Sequence, residues 1–354
     1  MPEVEAASDT SLAQALAFRA QGDWARALAC LTRANAQRPS ASLQQQLVDW
    51  RIEAGRSPSA AAAGEAHSAP ERASHAPGVD KGASAIPEVP PGELTAARLH
   101  EAIHGSGALI VRGLLDASVA EELRQQIERV VGAREDPENF PSVEPEAAWY
   151  TRSSEVRGAP AQLFRRPGQA VESSSIWVAD SPRMACELLA LYERLGLPSL
   201  LENYFGEPAR LSVKKWVLRK MAPKKNGNAG WHQDGRFLGE HIRSVNLWLA
   251  LSDCGGGAPA PGMDLLVDGR REIHPTGTDG AWFDWTVGPE RVARLATEAP
   301  ISQPRFAPGD ALLFDHFSLH RTALEDHHNA LRYAIEAWFF AASTAPARQQ
   351  PLYI

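Results

Sequence analysis

Apolar positions recur at helical spacing over residues 12–37 in two runs broken at Gly22-Asp23: Leu12, Leu16 and Phe18 on the first, Ala27, Leu28, Leu31 and Ala34 as a stripe on the second. Pro39 stops the second run, and Leu43, Leu47, Trp50 and Ile52 mark a third helix over 41–54 that ends at Gly55. Residues 56–92 are Ala, Ser, Pro, Gly and charged residues without a continuous apolar face, which predicts a flexible linker in which His67 and His75 are incidental. The pattern resumes with a helix over 94–104, a short strand at 108–111, and a helix over 118–131 whose core face is Val119, Leu123, Ile127, Val130 and Val131. Residues 132–170 are polar and interrupted by prolines, as expected of loops around a site. A helix at 183–195 follows, and then strands at 210–218, 244–251, 263–267, 311–314 and 332–340. Helices early and strands late predict a mainly β fold, a sandwich or barrel with flanking helices. The expected organisation is a small helical segment at 8–55, the linker at 56–92 and a catalytic domain at 93–345.

Composition narrows the partners. A net charge of -7 argues against a broad phosphate-binding surface, with only Lys224-Lys225 as a local basic pair, so nucleic acid is not an expected partner. Cys30, Cys186 and Cys254 are too scattered for a disulfide framework and fit a reducing compartment. Glu3, Glu5 and Asp9 stand where a secretory signal carries basic residues, and no apolar run is long enough for a membrane span. A soluble cytoplasmic protein is the expectation.

Candidate chemistry begins at Trp231-His232-Gln233-Asp234-Gly235. Residues two apart on extended backbone project to one face, so His232 and Asp234 can approach one ion from one side; the other reading of His232 is a structural histidine. A second segment runs from the turn Gly309-Asp310 through an apolar strand to Asp315, His316, His320, Arg321 and Thr322. Two histidines and one carboxylate fill one face of an octahedral ion and leave three positions for a chelating cosubstrate and oxygen, whereas a structural zinc site closes with four protein ligands. From the residues alone, His316 and His320 compete for the distal position. Arg332 opens an apolar run and offers a planar fork suited to a carboxylate; its other reading is a surface ion pair with Glu325 or Glu336. His274 reads as a surface histidine or a substrate neighbour. The glycine-rich run 254–263 lacks the spacing and the lysine of a nucleotide loop, and reads as a turn at the rim of the site. Trp282, Phe283 and Trp285 read as core, lid or apolar contact.

These residues resemble the phytanoyl-CoA dioxygenase family of iron and 2-oxoglutarate oxygenases: His-x-Asp at His232 and Asp234, a distal histidine at His320, a cosubstrate arginine at Arg332 and its accompanying hydroxyl at Thr322. The resemblance spans roughly 94–340 and is strongest from Trp231 onward. It implies a double-stranded β-helix, or jelly roll, with Fe(II) held by His232, Asp234 and His320; register favours His320 over His316. It further implies 2-oxoglutarate as cosubstrate, bound by Arg332 and Thr322. A second pocket face is implied from an earlier strand, for which Lys214 and Trp216 are candidates. The implied reaction is hydroxylation of a small organic or carrier-bound substrate with release of succinate and CO2, since Asp234 fills the space that related halogenases open for halide. No coenzyme A signature identifies the substrate. The amino-terminal helices resemble one tetratricopeptide repeat, the alternative being a helical hairpin packed on the main domain. Rival readings are a cupin-like metalloenzyme that does not use 2-oxoglutarate, and a noncatalytic interaction protein with a partner at the amino-terminal helices.

Overall fold

The computed structural model describes residues 2–57, 86–152, 174–223, 230–323 and 325–354, with side chains from Thr10 onward. Most of the expected linker, with His67 and His75, lies outside the described residues, as do Lys224 and Lys225.

Three helices open the chain, α1 (Pro2–Ala20), α2 (Trp24–Gln37) and α3 (Ala41–Arg56). Their breaks are set locally. Asp23 caps α2 by accepting from the Arg26 N–H, and Ser40 caps α3 by accepting from the Leu43 N–H at 3.2 Å, each satisfying a donor that has no partner within the helix. α3 inserts Val48 and Ile52 into the main core. Its Arg51 donates to the Tyr353 carbonyl at 3.0 Å, and Gln44 donates to the Glu146 carbonyl while accepting from the Ala148 N–H. The amino-terminal helices are therefore packed on the main domain by the face that α3 turns inward.

The rest of the chain runs β1 (Glu88–Val89), α4 (Ala96–Ser106), β2 (Ala108–Val111), α5 (Ala117–Glu135), β3 (Val143–Glu144), β4 (Ala147–Ala148), β5 (Ser174–Trp177), α6 (Pro182–Arg194), α7 (Leu197–Phe205), β6 (Ala209–Ser212) and β7 (Val217–Met221). It continues with the single turn α8 (Gly235–Leu238), β8 (Ser244–Ala250), β9 (Met263–Leu266), α9 (Pro289–Leu295), β10 (Ile301–Ser302), β11 (Ala311–Phe314), β12 (His320–Thr322), β13 (Arg332–Ala341) and β14 (Pro351–Tyr353).

The large sheet has the order β1-β2-β11-β8-β13-β6-β14, with β5 and β7 joined to it through β13. β13 is long enough to pair with β8 along one edge and with β7 and then β6 along the other. A second sheet, β10-β9-β12, faces it, giving the jelly roll expected from the sequence. Strand alternation divides the large sheet cleanly. Val245, Leu247, Leu249, Leu313, Ile335 and Phe339 join the core beneath the helices, whereas Trp248, Ala250, Leu312, Phe314 and Ala334 face the second sheet and meet Met263 and Leu265. Gly107, at φ 83°, closes α4 in the left-handed conformation, and a Cβ there would meet the Asp268 carbonyl at 2.6 Å, so only glycine turns the chain from α4 into β2 without strain.

Two local readings differ. Glu88–Val89 lies inside the expected linker yet pairs in parallel with Ile110 and Val111, a match too short to show periodicity. The strand expected over 210–218 is two strands separated by a 3-10 turn at Val213–Lys215, capped by the Ser212 hydroxyl accepting from the Lys215 N–H. Among the described residues, no helix is long and apolar enough to cross a membrane.

Candidate metal centre

His232 and His320 meet as an isolated antiparallel bridge: each N–H donates to the other's carbonyl, at 2.9 and 3.0 Å. Directly opposed residues of an antiparallel pair project to the same face. That places the two rings 4.3 Å apart between centroids, and the turn into α8 brings Asp234 to them. One ligand atom from each of His232, Asp234 and His320 lies within 4.8 Å of the others. Gly235 closes this turn, its N–H donating to the His316 carbonyl at 2.8 Å; a Cβ there would lie 2.2 Å from Ile273 Cδ1.

The rings are oriented from behind. His232 Nδ1 lies 3.1 Å from the Gly230 carbonyl, and His320 Nδ1 lies 3.0 Å from the Ser318 carbonyl. A carbonyl only accepts, so each Nδ1 carries the proton and each Nε2 keeps its lone pair. Burial pushes both imidazoles down to about 4, His320 adding to the effect at His232, which keeps them neutral at physiological pH. Burial pushes the Asp234 carboxyl up, opposed by Lys215 and His232. Asn246 Nδ2 donates to Asp234 Oδ2 at 2.6 Å and fixes the carboxylate. A divalent cation fits this donor set: two neutral nitrogens and a carboxylate oxygen on one side, buried where an uncompensated carboxylate is costly.

The three residues open on a cavity of about 130 Å3 between the sheets. Arg332, the first residue of β13, lines it and is 1% exposed. Its Nη1 donates weakly to the Gly262 carbonyl at 3.4 Å, its Nε has no partner, and its guanidinium lies 5.8 Å from the Trp248 ring centroid. The surface ion pair considered for Arg332 is not formed. Glu336 takes a two-pronged bond from Arg219 at 2.9 and 2.7 Å, and Glu325 faces His327. Among the described residues, Arg332 is thus a buried cation without an ion-pair partner. Thr322 lines the same cavity from β12.

Lys214 and Trp216 do not form the second pocket face. Trp216 is fully buried on the helix side, where its Nε1 donates to the Tyr192 hydroxyl at 3.1 Å, and Lys214 does not line the cavity. The 3-10 turn shifts the alternation by one residue, so Lys215 and Arg219 line the cavity instead. His316 is held by Ser244 at 3.0 Å behind the Asp234 turn, outside the triad, and His274 is buried beside Glu272. Sequence reasoning passed over Asn246 and Gln233. Gln233 donates to the Glu272 and Phe317 carbonyls and accepts from the His274 N–H, clamping three segments around its neighbours in the motif. The one available signal for Asn246 was a polar residue inside an apolar strand. The loop 254–262 folds back so that the Gly262 carbonyl reaches Arg332, beside the cavity-lining Met263.

The pattern of the phytanoyl-CoA dioxygenase (PhyH) family matches residues 103–324. The chain belongs to this family. No curated protein matches it. Among solved structures, iron-bound EctD from S. alaskensis is 17% identical, aligning 70% of this chain with 77% of its own at a TM-score of 0.50, a likeness of fold. EctD with 2-oxoglutarate and 5-hydroxyectoine is 18% identical over 70% of this chain and 77% of that one, at 0.49. The alpha ketoglutarate dependent epimerase SnoN from nogalamycin biosynthesis is 17% identical over 70% and 83%, at 0.44. In this PhyH family chain, His232, Asp234, His320 and Thr322 fall inside the matched span, and Arg332 lies just beyond it.

Proposed function

We propose that this protein is an Fe(II)- and 2-oxoglutarate-dependent oxygenase that hydroxylates a small organic or carrier-bound acceptor. The observation that carries the reading is the buried cluster of His232, Asp234 and His320 sharing one cavity with Arg332, a buried guanidinium lacking an anion. His232, Asp234 and His320 would hold the metal. Arg332 and Thr322 would take the remote carboxylate of 2-oxoglutarate, the Arg fork making two charge-assisted bonds. When bound, iron and cosubstrate supply the activation of oxygen, 2-oxoglutarate leaving as succinate and CO2.

The chain's own part is geometric and electrostatic. The Gly230 and Ser318 carbonyls hold the Nδ1 protons and aim each Nε2 at a common point. Asn246 holds Asp234, and its amide favours the ionised carboxylate that a cation needs. Arg219 occupies Glu336, which keeps that carboxylate from neutralising Arg332. Trp248, Phe314 and Met263 line the cavity with apolar surface and limit water. The carboxylate of Asp234 fills the position that a halide would need, which supports hydroxylation over halogenation.

Iron binding under anaerobic conditions tests the assignment. Replacing His320 by Gln should lower Fe(II) affinity by tenfold or more, on the order of the loss expected for a ligand or its support, while His316→Gln should retain it. The reverse ranking would overturn the assignment.

A further inference from the structure

The charged side chains lining the cavity are Lys215, Arg219, Arg332, Asp234 and Glu336. Arg219 and Glu336 cancel in their ion pair. On the reading above, on which this inference rests, Asp234 faces the metal and Arg332 the cosubstrate, and a divalent iron balances the 2-oxoglutarate dianion. One positive charge remains. It belongs to Lys215, whose Nζ stands 4.4 Å above the Trp338 ring centroid with no carboxylate in ion-pairing range among the described residues. A half-buried ammonium lining such a cavity favours an anion.

The volume says where the acceptor's body lies. A cavity of about 130 Å3 compares with the roughly 150 Å3 that accommodates one benzene, so cosubstrate and acceptor do not both fit inside. The acceptor extends beyond the cavity, and an aromatic group stands just outside it against His232. Trp285 stands edge-on to His232 at 5.5 Å, stacks on Phe283 at 5.5 Å and 11°, and lies 6.1 Å from Phe237. Phe237 and Phe283 are 42% and 39% exposed, two of the seven exposed large apolar side chains among the described residues, and both meet Trp285 beside the metal-ligand candidate His232. Scattered exposed aromatics need no explanation; a patch against a metal-ligand candidate does. The single-turn helix α8 links the two features, with Phe237 beside Trp285 and Leu238 packed on Trp338 beneath Lys215.

We propose that the acceptor is a flat, ring-bearing molecule carrying one anionic group, its charge on Lys215 and its ring against the aromatic group of Phe237, Phe283 and Trp285. The test is calorimetric binding of 2-naphthoate, 2-naphthamide and octanoate to anaerobic protein loaded with Fe(II) and saturating 2-oxoglutarate, with the iron-cosubstrate absorption band recorded in each sample. The flat anion should bind about tenfold more tightly than either the neutral amide or the flexible acid. Lys215→Met should erase the preference for naphthoate over naphthamide, and Lys215→Arg should restore it. Phe283→Ser should weaken both naphthyl probes by roughly threefold to tenfold while sparing their ratio. With the band present, absence of naphthoate binding, equal binding of octanoate, or a preference that survives Lys215→Met overturns the proposal. A missing band instead removes the oxygenase reading beneath it.

Discussion

Replacing Arg332 by Met separates a structural arginine from one waiting for an anion, because the two roles predict opposite signs. The guanidinium is 1% exposed, has one long hydrogen bond at 3.4 Å and an Nε without a partner. In protein free of metal and cosubstrate, that cation is desolvated with only a long hydrogen bond and the field of Glu336, already paired with Arg219, in compensation. Met fills much of the same volume without the charge, so the exchange should be neutral or stabilising by about 1–3 kcal/mol. Cosubstrate binding should move the other way. Two charge-assisted bonds to a carboxylate, at about 1.5–3 kcal/mol each, sum to about 3–6 kcal/mol, upwards of a hundredfold in Kd. Denaturant unfolding of the apoprotein measures the first effect, and titration of anaerobic Fe(II) protein with 2-oxoglutarate measures the second. An apoprotein markedly destabilised by Arg332→Met, with 2-oxoglutarate affinity within a factor of about two of wild type, would refute the reasoning and return Arg332 to a structural role.

Three other outcomes follow from the site. Metal-free protein should lose stability as pH falls from about 6.5 towards 4: His232 and His320 sit at about 4 when folded against 6.5 ordinarily, so between those values the unfolded chain binds the extra protons. The slope is about 1.4 kcal/mol per pH unit for each imidazole, Asp234 works in the opposite sense because burial raises its pKa, and bound metal, which holds all three ligands deprotonated, should remove that opposition and steepen the curve; denaturant midpoints across this range provide the check. Asn246→Leu removes the 2.6 Å bond to Asp234 and should weaken Fe(II) binding by about tenfold to a hundredfold in equilibrium dialysis. Trp216→Phe should cost about 1–3 kcal/mol of stability through the lost bond to Tyr192 while leaving 2-oxoglutarate affinity unchanged, and a cosubstrate defect there would reinstate Trp216 as a pocket residue.

The candidate metal cluster was legible in the sequence because each of its two segments is local. His232 and Asp234 sit two residues apart, and His320 and Thr322 follow a strand whose bounds at 311–314 match the structure. Register also singled out His320 over His316, and the geometry agrees, since His316 is drawn behind the turn by Ser244. What could not be read depends on a change of phase or on distant partners. Lys214 and Trp216 were placed by extending one strand through 210–218, and a three-residue 3-10 turn moves the cavity-facing positions to Lys215 and Arg219. Asn246 shows its role only when β8 is set against the Asp234 turn. The pairing of Arg219 with Glu336, which leaves Arg332 alone, needs the register of β7 on β13. The strand at Glu88–Val89 was hidden because two residues carry no period.

The most direct measurement is the yield of succinate from 2-oxoglutarate, in air, by protein carrying one Fe(II) per chain, compared with Asp234→Ala under equal iron. The wild-type chain should convert 2-oxoglutarate to succinate at a rate that rises with a suitable acceptor, and the variant should fall to background. Wild-type protein that binds iron at His232, Asp234 and His320 yet leaves 2-oxoglutarate intact across a broad acceptor panel, or an Asp234→Ala variant that turns it over equally well, would contradict the account.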